Sequence, residues 1–154
     1  MSKLLFQKSF PQGQYEIYND RPGYPLITTT QTHSNIIFEF DGEHDISTEA
    51  DGIIIDHKKF PNKILAIKTA DCLPILLLGE RTALIHAGWR GLHNKILANP
   101  KLTQYKFEQA IIGASIQSYE VTPDFKENFH NSMNFYQQNN KTYFNLQAEA
   151  KEQL

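Results

Sequence analysis

The sequence predicts an α+β fold, a layered arrangement in which helices pack on a mixed or antiparallel sheet. Short apolar runs rich in β-branched residues, separated by turn formers, occupy most of the first half of the chain. Two nearly continuous apolar runs, at 73–78 and 82–85, are typical of strands buried on both faces. A helical period appears only after them. Strands first, then strands mixed with helices, favour α+β.

The first half of the chain is expected to consist of strands and turns. Pro11-Gln12-Gly13 and the segment 21–25, which contains two prolines and a glycine, are turn formers. Asp41-Gly42 is a turn pair that ends another strand. The apolar or alternating runs between these turns predict strands at 14–18, 26–30, 36–40, 52–56 and 63–68.

The second half is expected to mix strands with helices. Gly79-Glu80-Arg81 is short enough to join the runs 73–78 and 82–85 as a hairpin. Trp89, Leu92, Ile96 and Leu97 lie on one face of a helix, which predicts a helix over 89–97. The remaining patterns predict a strand at 110–116, one or two short helices within 123–137, a strand at 141–145 and a helix from 146 to 154.

Length and composition indicate a single domain over residues 1–154. The net charge of −2 provides no basic excess to attract phosphate backbones or anionic lipid, so nucleic-acid and membrane partners are not expected. The N-terminal apolar run is too short for a signal peptide, and the one cysteine, Cys72, excludes an internal disulfide. We therefore expect a cytoplasmic protein.

Three residues with metal-ligating side chains fall at the ends of predicted strands. His33 follows the run 26–30, Cys72 precedes the run 73–78, and His86 ends the run 82–85. A His/Cys/His set leaves the fourth tetrahedral position of zinc open, as in catalytic zinc sites. Their separations of 39 and 14 residues are a weak signal. The alternative is that Cys72 is an inert core thiol and the histidines are ordinary polar residues.

Polar residues beside these ligands could take part in catalysis. Asp71 precedes Cys72, where its carboxylate could orient a ligand, transfer protons, or cap a turn. Arg90 follows His86 by four residues and could hold phosphate or carboxylate, or form a surface salt bridge. Glu49 and Asp51 are further candidates for a general base or for turn caps, and Gly88 and Gly91 would let backbone approach a ligand or simply permit the turn.

Other residues and motifs narrow the choice of function. His44, His57, His93 and His130 lack a ligand-like context. Six histidines and one cysteine, with no His-x-His pair, cannot build the four-copper cluster of a laccase. The sequence also lacks the His-x-Glu and Pro-Cys-x-x-Cys signature of nucleic-acid deaminases, the glycine-rich nucleotide loops, and the Gly-x-Ser-x-Gly elbow.

Five motifs together resemble one family. Gln31-Thr32-His33-Ser34, Ala50-Asp51-Gly52, the segment 69–77 that begins Thr-Ala-Asp-Cys, His86-Ala-Gly-Trp-Arg-Gly91 and the segment 112–121 occur in the order typical of the YfiH family, whose members are labelled laccase-domain or multicopper polyphenol oxidase proteins. The resemblance implies an α/β fold with zinc, rather than copper, on His33, Cys72 and His86. It also implies purine nucleoside phosphorylase activity on adenosine, inosine and methylthioadenosine, with some adenosine deamination.

The chain departs from the family pattern at several places. It lacks the Asn-Leu-Gly and Gly-Asp-Asp-Pro elements near the N-terminus, and it carries Ala114 and Ser118 where proline and cysteine are common. Where the family continues into a strand with Cys-Thr and a paired-arginine segment, this sequence stops at Leu154. We therefore expect a YfiH-like domain that is shortened at both ends.

Three functional hypotheses follow. In the first, a zinc-dependent phosphorylase binds a purine nucleoside and phosphate, Arg90 holds the anion, and Asp71 or Asp51 transfers protons. In the second, the chain is a cysteine hydrolase with Cys72 as nucleophile and His86 as base; similarity of the family fold to such hydrolases, and the peptidoglycan editing attributed to some members, support this alternative. In the third, a zinc-binding paralogue binds ligands without turnover. An oligomer could complete the pocket in any of these.

Overall fold

The computed structural model describes residues 1–43 and 45–154 of the chain. Its strands are β1 Leu4–Phe10, β2 Gly13–Tyr18, β3 Ile37–Phe40, β4 Gly52–Ile55, β5 Leu73–Gly79, β6 Thr82–Ala87, β7 Phe107–Ile112, β8 Ser118–Val121, β9 Phe135–Gln138 and β10 Lys141–Asn145. The α-helices are α1 Trp89–His93, α2 Pro100–Thr103 and α3 Leu146–Gln153, with 3₁₀ segments at Ile96–Ala98 and Pro123–Phe129.

The centre of the molecule is a mixed five-stranded sheet in the order β3-β4-β6-β5-β7. Strands β3 and β4 are parallel, and the other neighbours are antiparallel. A three-stranded antiparallel sheet, β8-β10-β9, and the separate hairpin β1-β2 complete the strands. The prediction of an α+β fold with a mixed sheet is confirmed.

Apolar side chains cover both faces of the central sheet, which explains the continuous apolar runs. On one face Ile54, Ile75 and Ile85 pack with the helical residues Leu92 and Leu146. On the other, two smaller clusters pack against partly buried side chains of the flanking segments; their buried members are Ile27, Phe40, Ile53 and Ile55 in one and Leu76, Leu78 and Leu84 in the other. A sheet covered on both sides holds its strand ends firmly, and two of the candidate ligands, Cys72 and His86, lie at those ends.

Most predicted elements are present with small changes in their bounds. The strands expected at 14–18, 36–40, 52–56, 73–78, 82–85 and 141–145, the hairpin between 73–78 and 82–85, and the last helix are confirmed. The strand expected at 110–116 runs over Phe107–Ile112 instead. The helix expected over 89–97 ends at His93, because Lys95 adopts a left-handed conformation with φ of 56° and a 3₁₀ turn follows.

The strands expected at 26–30 and 63–68 are wrong. Ile27 meets Leu65 in an isolated bridge, whereas Thr30 bonds to a different segment, at Glu49. Since the pairing partner changes within four residues, no ladder can form. Of the one or two short helices expected within 123–137, one is present as the 3₁₀ segment Pro123–Phe129, and the end of that range belongs to β9. Asn139 and Asn140 both have positive φ, as a two-residue hairpin turn between β9 and β10 requires.

Helix α3 is fixed by a buried carboxylate, that of Glu149, which is 4% exposed. Its oxygens accept hydrogen bonds from Ser132 Oγ at 2.7 Å, Asn134 Nδ2 at 3.1 Å and Gln153 Nε2 at 2.8 Å. Burial alone would raise the pKa of Glu149, but these hydrogen bonds outweigh it and hold the pKa below its ordinary value of 4.5. The carboxylate therefore joins the last helix to the loop before β9. With eight residues, α3 exceeds every other α-helix of the described residues, and no helix there has the length and hydropathy to span a bilayer.

Replacing Glu149 with alanine should lower the free energy of unfolding by about 2–3 kcal/mol near neutral pH, because three donors lose their acceptor. Because the pKa of Glu149 is depressed on folding, its contribution is present above the ordinary pKa and is lost as the pH falls below about 4.5. Urea denaturation near neutral pH and again below about pH 4.5 should show that the free energy of unfolding changes less with pH in Glu149→Ala than in the wild type. The exposed Glu152 on the same helix supplies the control, and an equal loss in Glu152→Ala would contradict the assignment.

Candidate metal centre

The three candidate ligands meet at one end of the central sheet. His86 lies near the end of β6, and Cys72 directly precedes β5. Antiparallel pairing places Leu73 opposite Ala87 and Pro74 opposite His86, so the ends of the two strands bring Cys72 and His86 together. His33 reaches the same place from the loop before β3.

The geometry of the cluster fits a metal ion. The nitrogen atoms of His33 and His86 and the sulfur of Cys72 all lie within 4.8 Å of one another. The two imidazole rings meet edge to face with centroids 5.0 Å apart. His86 is buried, Cys72 is partly buried and His33 is exposed, so the cluster opens on the His33 side. In the part of the chain that the structure describes, it is the one group of three such residues close enough to share an ion.

Asp51 organises this cluster from directly before β4. Its fully buried carboxylate accepts hydrogen bonds from the backbone N–H groups of Thr32 at 3.1 Å, His33 at 3.1 Å and Ser34 at 2.7 Å. It also accepts from Ser34 Oγ at 2.8 Å and lies 2.9 Å from His86 Nδ1. One carboxylate therefore holds the loop that carries His33 and the ring of His86.

The backbone of His33 is left-handed, with φ of 58°. A residue with a Cβ pays an energetic cost in this conformation. The hydrogen bonds that residues 32–34 donate to Asp51 offset that cost and fix the direction of the His33 side chain. The unusual conformation therefore occurs at a candidate ligand, where the surrounding hydrogen bonds impose it.

His86 connects Asp51 with Cys72. Because Nδ1 contacts Asp51, Nε2 is the ring nitrogen left for Cys72 or a metal ion. Burial alone would lower the pKa of His86, but hydrogen bonds to Asp51 and Cys72 outweigh it and raise the pKa to about 9. Burial would raise the pKa of Asp51, yet the bonds from His86, Ser34 and Thr32 hold it well below its ordinary value. Without metal, Asp51 is thus an anion beside a protonated imidazole.

Gly88 allows the chain to pass close to two of the ligands. A Cβ added there would lie 2.8 Å from Cys72 Sγ and 3.4 Å from His33 Cδ2. The first distance is shorter than two non-bonded atoms tolerate, so any side chain at 88 would displace the sulfur. The sequence offered two roles for Gly88, close approach of the backbone to a ligand or the formation of a turn. The structure supports close approach, and the groups that the backbone approaches are the candidate metal-binding side chains of Cys72 and His33.

The structure places the other predicted site residues around this cluster. Arg90 is exposed in α1, with its guanidinium 4.7 Å from the ring centroid of Trp89. Asp71 is also exposed, and among the described residues its carboxylate makes no hydrogen bond or ion pair. Glu49 is exposed away from the hydrogen bonds of Asp51. The carboxylate that contacts the ring of a candidate ligand, His86, is that of Asp51 rather than that of Asp71.

His57, His93 and His130, the remaining histidines of the described residues, lie outside the cluster. His57 Nδ1 is 3.1 Å from Thr82 Oγ1, and His93 Nδ1 is 2.7 Å from the carbonyl oxygen of Asn128. His44 lies outside the described residues. Sequence reasoning missed two other residues, Ser34, which bonds to Asp51, and Tyr119, whose hydroxyl is buried. The one sequence signal that Ser34 belongs to the site was its position directly after His33, a candidate ligand.

Comparison with known proteins relates most of the chain to one group. A family model described as multi-copper polyphenol oxidoreductase laccase matches residues 15–154. A protein of Aquifex aeolicus named purine nucleoside phosphorylase is 36% identical over 97% of this chain and 80% of its own length.

Solved structures of related proteins are similar to this chain in fold. A Neisseria meningitidis protein assigned to family DUF152 has a TM-score of 0.68 and 30% identity, over 84% of this chain. The Bacillus licheniformis protein titled YfiH has a TM-score of 0.66 and 21% identity over 83% of this chain, a likeness in fold. This chain spans 58% and 57% of those two solved chains.

Replacing Asp51 with asparagine should lower the free energy of unfolding of the metal-free protein by about 3–5 kcal/mol, because a buried ion pair is broken and backbone donors face an amide. Urea denaturation measures the loss. Asp71→Asn is the matched control, since that carboxylate is exposed, and its change should stay within about 0.5 kcal/mol. A small effect of Asp51→Asn would show that the loop does not depend on this carboxylate.

Replacing Gly88 with alanine should weaken metal binding at least roughly tenfold, because the new Cβ would displace Cys72 Sγ. Competition with a chromogenic chelator measures the affinity. Gly23→Ala is the control, because a Cβ there would meet nothing within 4 Å. Equal affinities in the two variants would show that Cys72 is not a ligand or that the loop moves freely.

Proposed function

The chain belongs to the YfiH family, described as multi-copper polyphenol oxidoreductase laccase, and from this premise we propose that it is a zinc-dependent purine nucleoside phosphorylase. The resemblance inferred from its motifs is thereby confirmed at the level of the family. The relative from Aquifex aeolicus that covers nearly the whole chain carries the name purine nucleoside phosphorylase. Adenosine, inosine and methylthioadenosine are the proposed substrates together with phosphate, and adenosine deamination is a proposed side activity.

The observation that carries the proposal is the cluster of His33, Cys72 and His86 with its open side. Two imidazole nitrogens and one thiolate, all within 4.8 Å, match the three protein ligands of a catalytic zinc site. Asp51 on the far nitrogen of His86 matches the carboxylate–histidine arrangement that orients zinc ligands. Because His33 is exposed, an ion held by the three residues would be open to solvent on the His33 side, where phosphate or nucleoside would arrive.

Zinc is proposed in preference to copper, and its bound form would act as a Lewis acid on an oxygen of the substrates. A borderline ion with no redox chemistry suits a mixed nitrogen and sulfur donor set with one open position. The donors are held by different elements, so the site is assembled by the fold. Its affinity should therefore depend on the folded state.

The chain's own residues would position and protonate the reactants. In phosphorolysis a phosphate oxygen bonds to the anomeric carbon of the ribose, the bond from that carbon to the purine nitrogen breaks, and the purine takes up a proton. We propose that the exposed Arg90 guanidinium holds the phosphate. The exposed Asp71 carboxylate, next to Cys72, is the proposed site of proton transfer. Asp51 is too heavily hydrogen-bonded to exchange protons readily, so we assign it to the orientation of His86.

A second candidate function is hydrolysis with Cys72 as nucleophile, including hydrolysis of peptidoglycan precursors. The observation that favours it is the continuous connection from Asp51 through His86 to Cys72, in which a carboxylate orients a base beside a thiol. Cys72 and His86 therefore belong both to the candidate metal site and to the candidate nucleophilic site. The two candidates differ in what inactivates the protein.

Protein purified without added metal should contain about one zinc ion per chain by plasma mass spectrometry, and it should convert inosine and phosphate to hypoxanthine and ribose 1-phosphate. Cys72→Ala should lose metal and phosphorolysis together, because the sulfur is a ligand. His57→Ala, a histidine outside the cluster, is the control and should keep both. Phosphorolysis that persists in Cys72→Ala would refute the proposal.

Hydrolytic activity that survives chelation of metal but is abolished by alkylation of Cys72 would support the hydrolase instead. Saturable binding of inosine without turnover would indicate a zinc-binding paralogue that is not catalytic.

A further inference from the structure

Tyr119, in β8, has a buried hydroxyl that lacks a hydrogen-bond partner among the described residues. A buried donor without an acceptor costs about 1–3 kcal/mol, so folded proteins rarely keep one without a reason. A phenylalanine would fill the same space at no such cost. The hydroxyl therefore indicates a hydrogen-bond acceptor that is not within reach in the metal-free chain.

The ring of Tyr119 is fixed, and this fixes the direction of its hydroxyl. Tyr119 stands opposite Phe144 in the pairing of β8 with β10. The ring makes edge contacts with Phe125 and Phe144, each with centroids 6.1 Å apart. Phe125 in turn contacts Trp89, the first residue of α1, with centroids 5.3 Å apart. The tyrosine thus belongs to an aromatic cluster that extends toward the metal centre.

The segment before Tyr119 is bound to the backbone on both sides of Cys72. Ile116 N–H donates to the carbonyl oxygen of Asp71 at 3.1 Å, and Gly113 N–H donates to that of Pro74 at 2.8 Å. These bonds hold the entry to β8 against the Cys72 loop. In agreement, burial and then the electrostatic interaction with Cys72 raise the pKa of Tyr119.

We propose that Tyr119 is a positioning residue for Cys72, and that its hydroxyl donates a hydrogen bond to the Cys72 sulfur when the sulfur is a metal-bound thiolate. The inference rests on the metal centre of the proposed function. A thiol that binds metal loses its proton and becomes a charged acceptor, which the orphaned donor needs. The bond would hold the sulfur in one orientation and lower the energy of its lone pairs.

The test uses Tyr119→Phe, which removes the hydroxyl and keeps the ring contacts. Cobalt(II) replaces zinc in the purified full chain, and the sulfur-to-cobalt charge-transfer band is recorded. Without the hydrogen bond the sulfur lone pairs rise in energy, so the band should move to longer wavelength. Competition with a chelator should show metal affinity lowered roughly tenfold. A merely structural tyrosine would leave the band in place.

Tyr136→Phe is the matched control, because Tyr136 belongs to the same three-stranded sheet and is 42% exposed. Its cobalt spectrum should equal that of the wild type. The free energy of unfolding of metal-free Tyr119→Phe should not fall, since the lost hydroxyl had no partner.

A band present in the wild type and unmoved in Tyr119→Phe, with unchanged affinity, overturns the inference and leaves the metal centre standing. A wild-type protein that binds cobalt without a sulfur band overturns the metal centre and the inference together.

Discussion

The buried carboxylate of Asp51 is the interaction on which the rest of the site depends. Its side chain accepts hydrogen bonds from the loop that carries His33 and contacts His86, while its backbone carbonyl accepts from His86 N–H at 2.7 Å. A carboxylate with no access to water is stable only when its oxygens are paired. The need to satisfy Asp51 therefore fixes the loop, the strand and the ring at once, and the ligand geometry follows from it.

The two-sided core explains why this geometry can be held at the edge of a small protein. Residues of β4 alternate between the two faces of the sheet, with Ile54 packed against the helices and Ile53 and Ile55 packed on the opposite face. Side chains in such an interior cannot shift without opening cavities. The ends of β4, β5 and β6 are correspondingly rigid. Asp51, Cys72 and His86 lie at these ends and are therefore held in place. Strand ends therefore hold Cys72 and His86, and Asp51 holds the loop that carries His33.

Sequence patterns predicted the centre of this fold better than its periphery. The runs at 73–78 and 82–85 are apolar because both faces are buried, so their pairing was predictable, and the ends of these two strands pointed to Cys72 and His86. The strand expected before His33 does not form, although His33 joins the cluster. The part played by Asp51 was not predictable, because its contacts span 17 to 35 residues and no local pattern records them. The β-branched residues at 26–30 predicted a strand. The structure shows only isolated bridges there, because such residues also occur in extended segments that form no ladder.

The gradient of burial across the three ligands determines how an ion would enter and leave. His86 is enclosed by the sheet, Cys72 stands at its rim, and His33 projects from a surface loop into solvent. An ion held by these residues would meet His33 first on entry and would leave past His33 last. Its exchange would then require local opening of residues 32–34 rather than global unfolding, and the hydrogen bonds that these residues donate to Asp51 would oppose that opening.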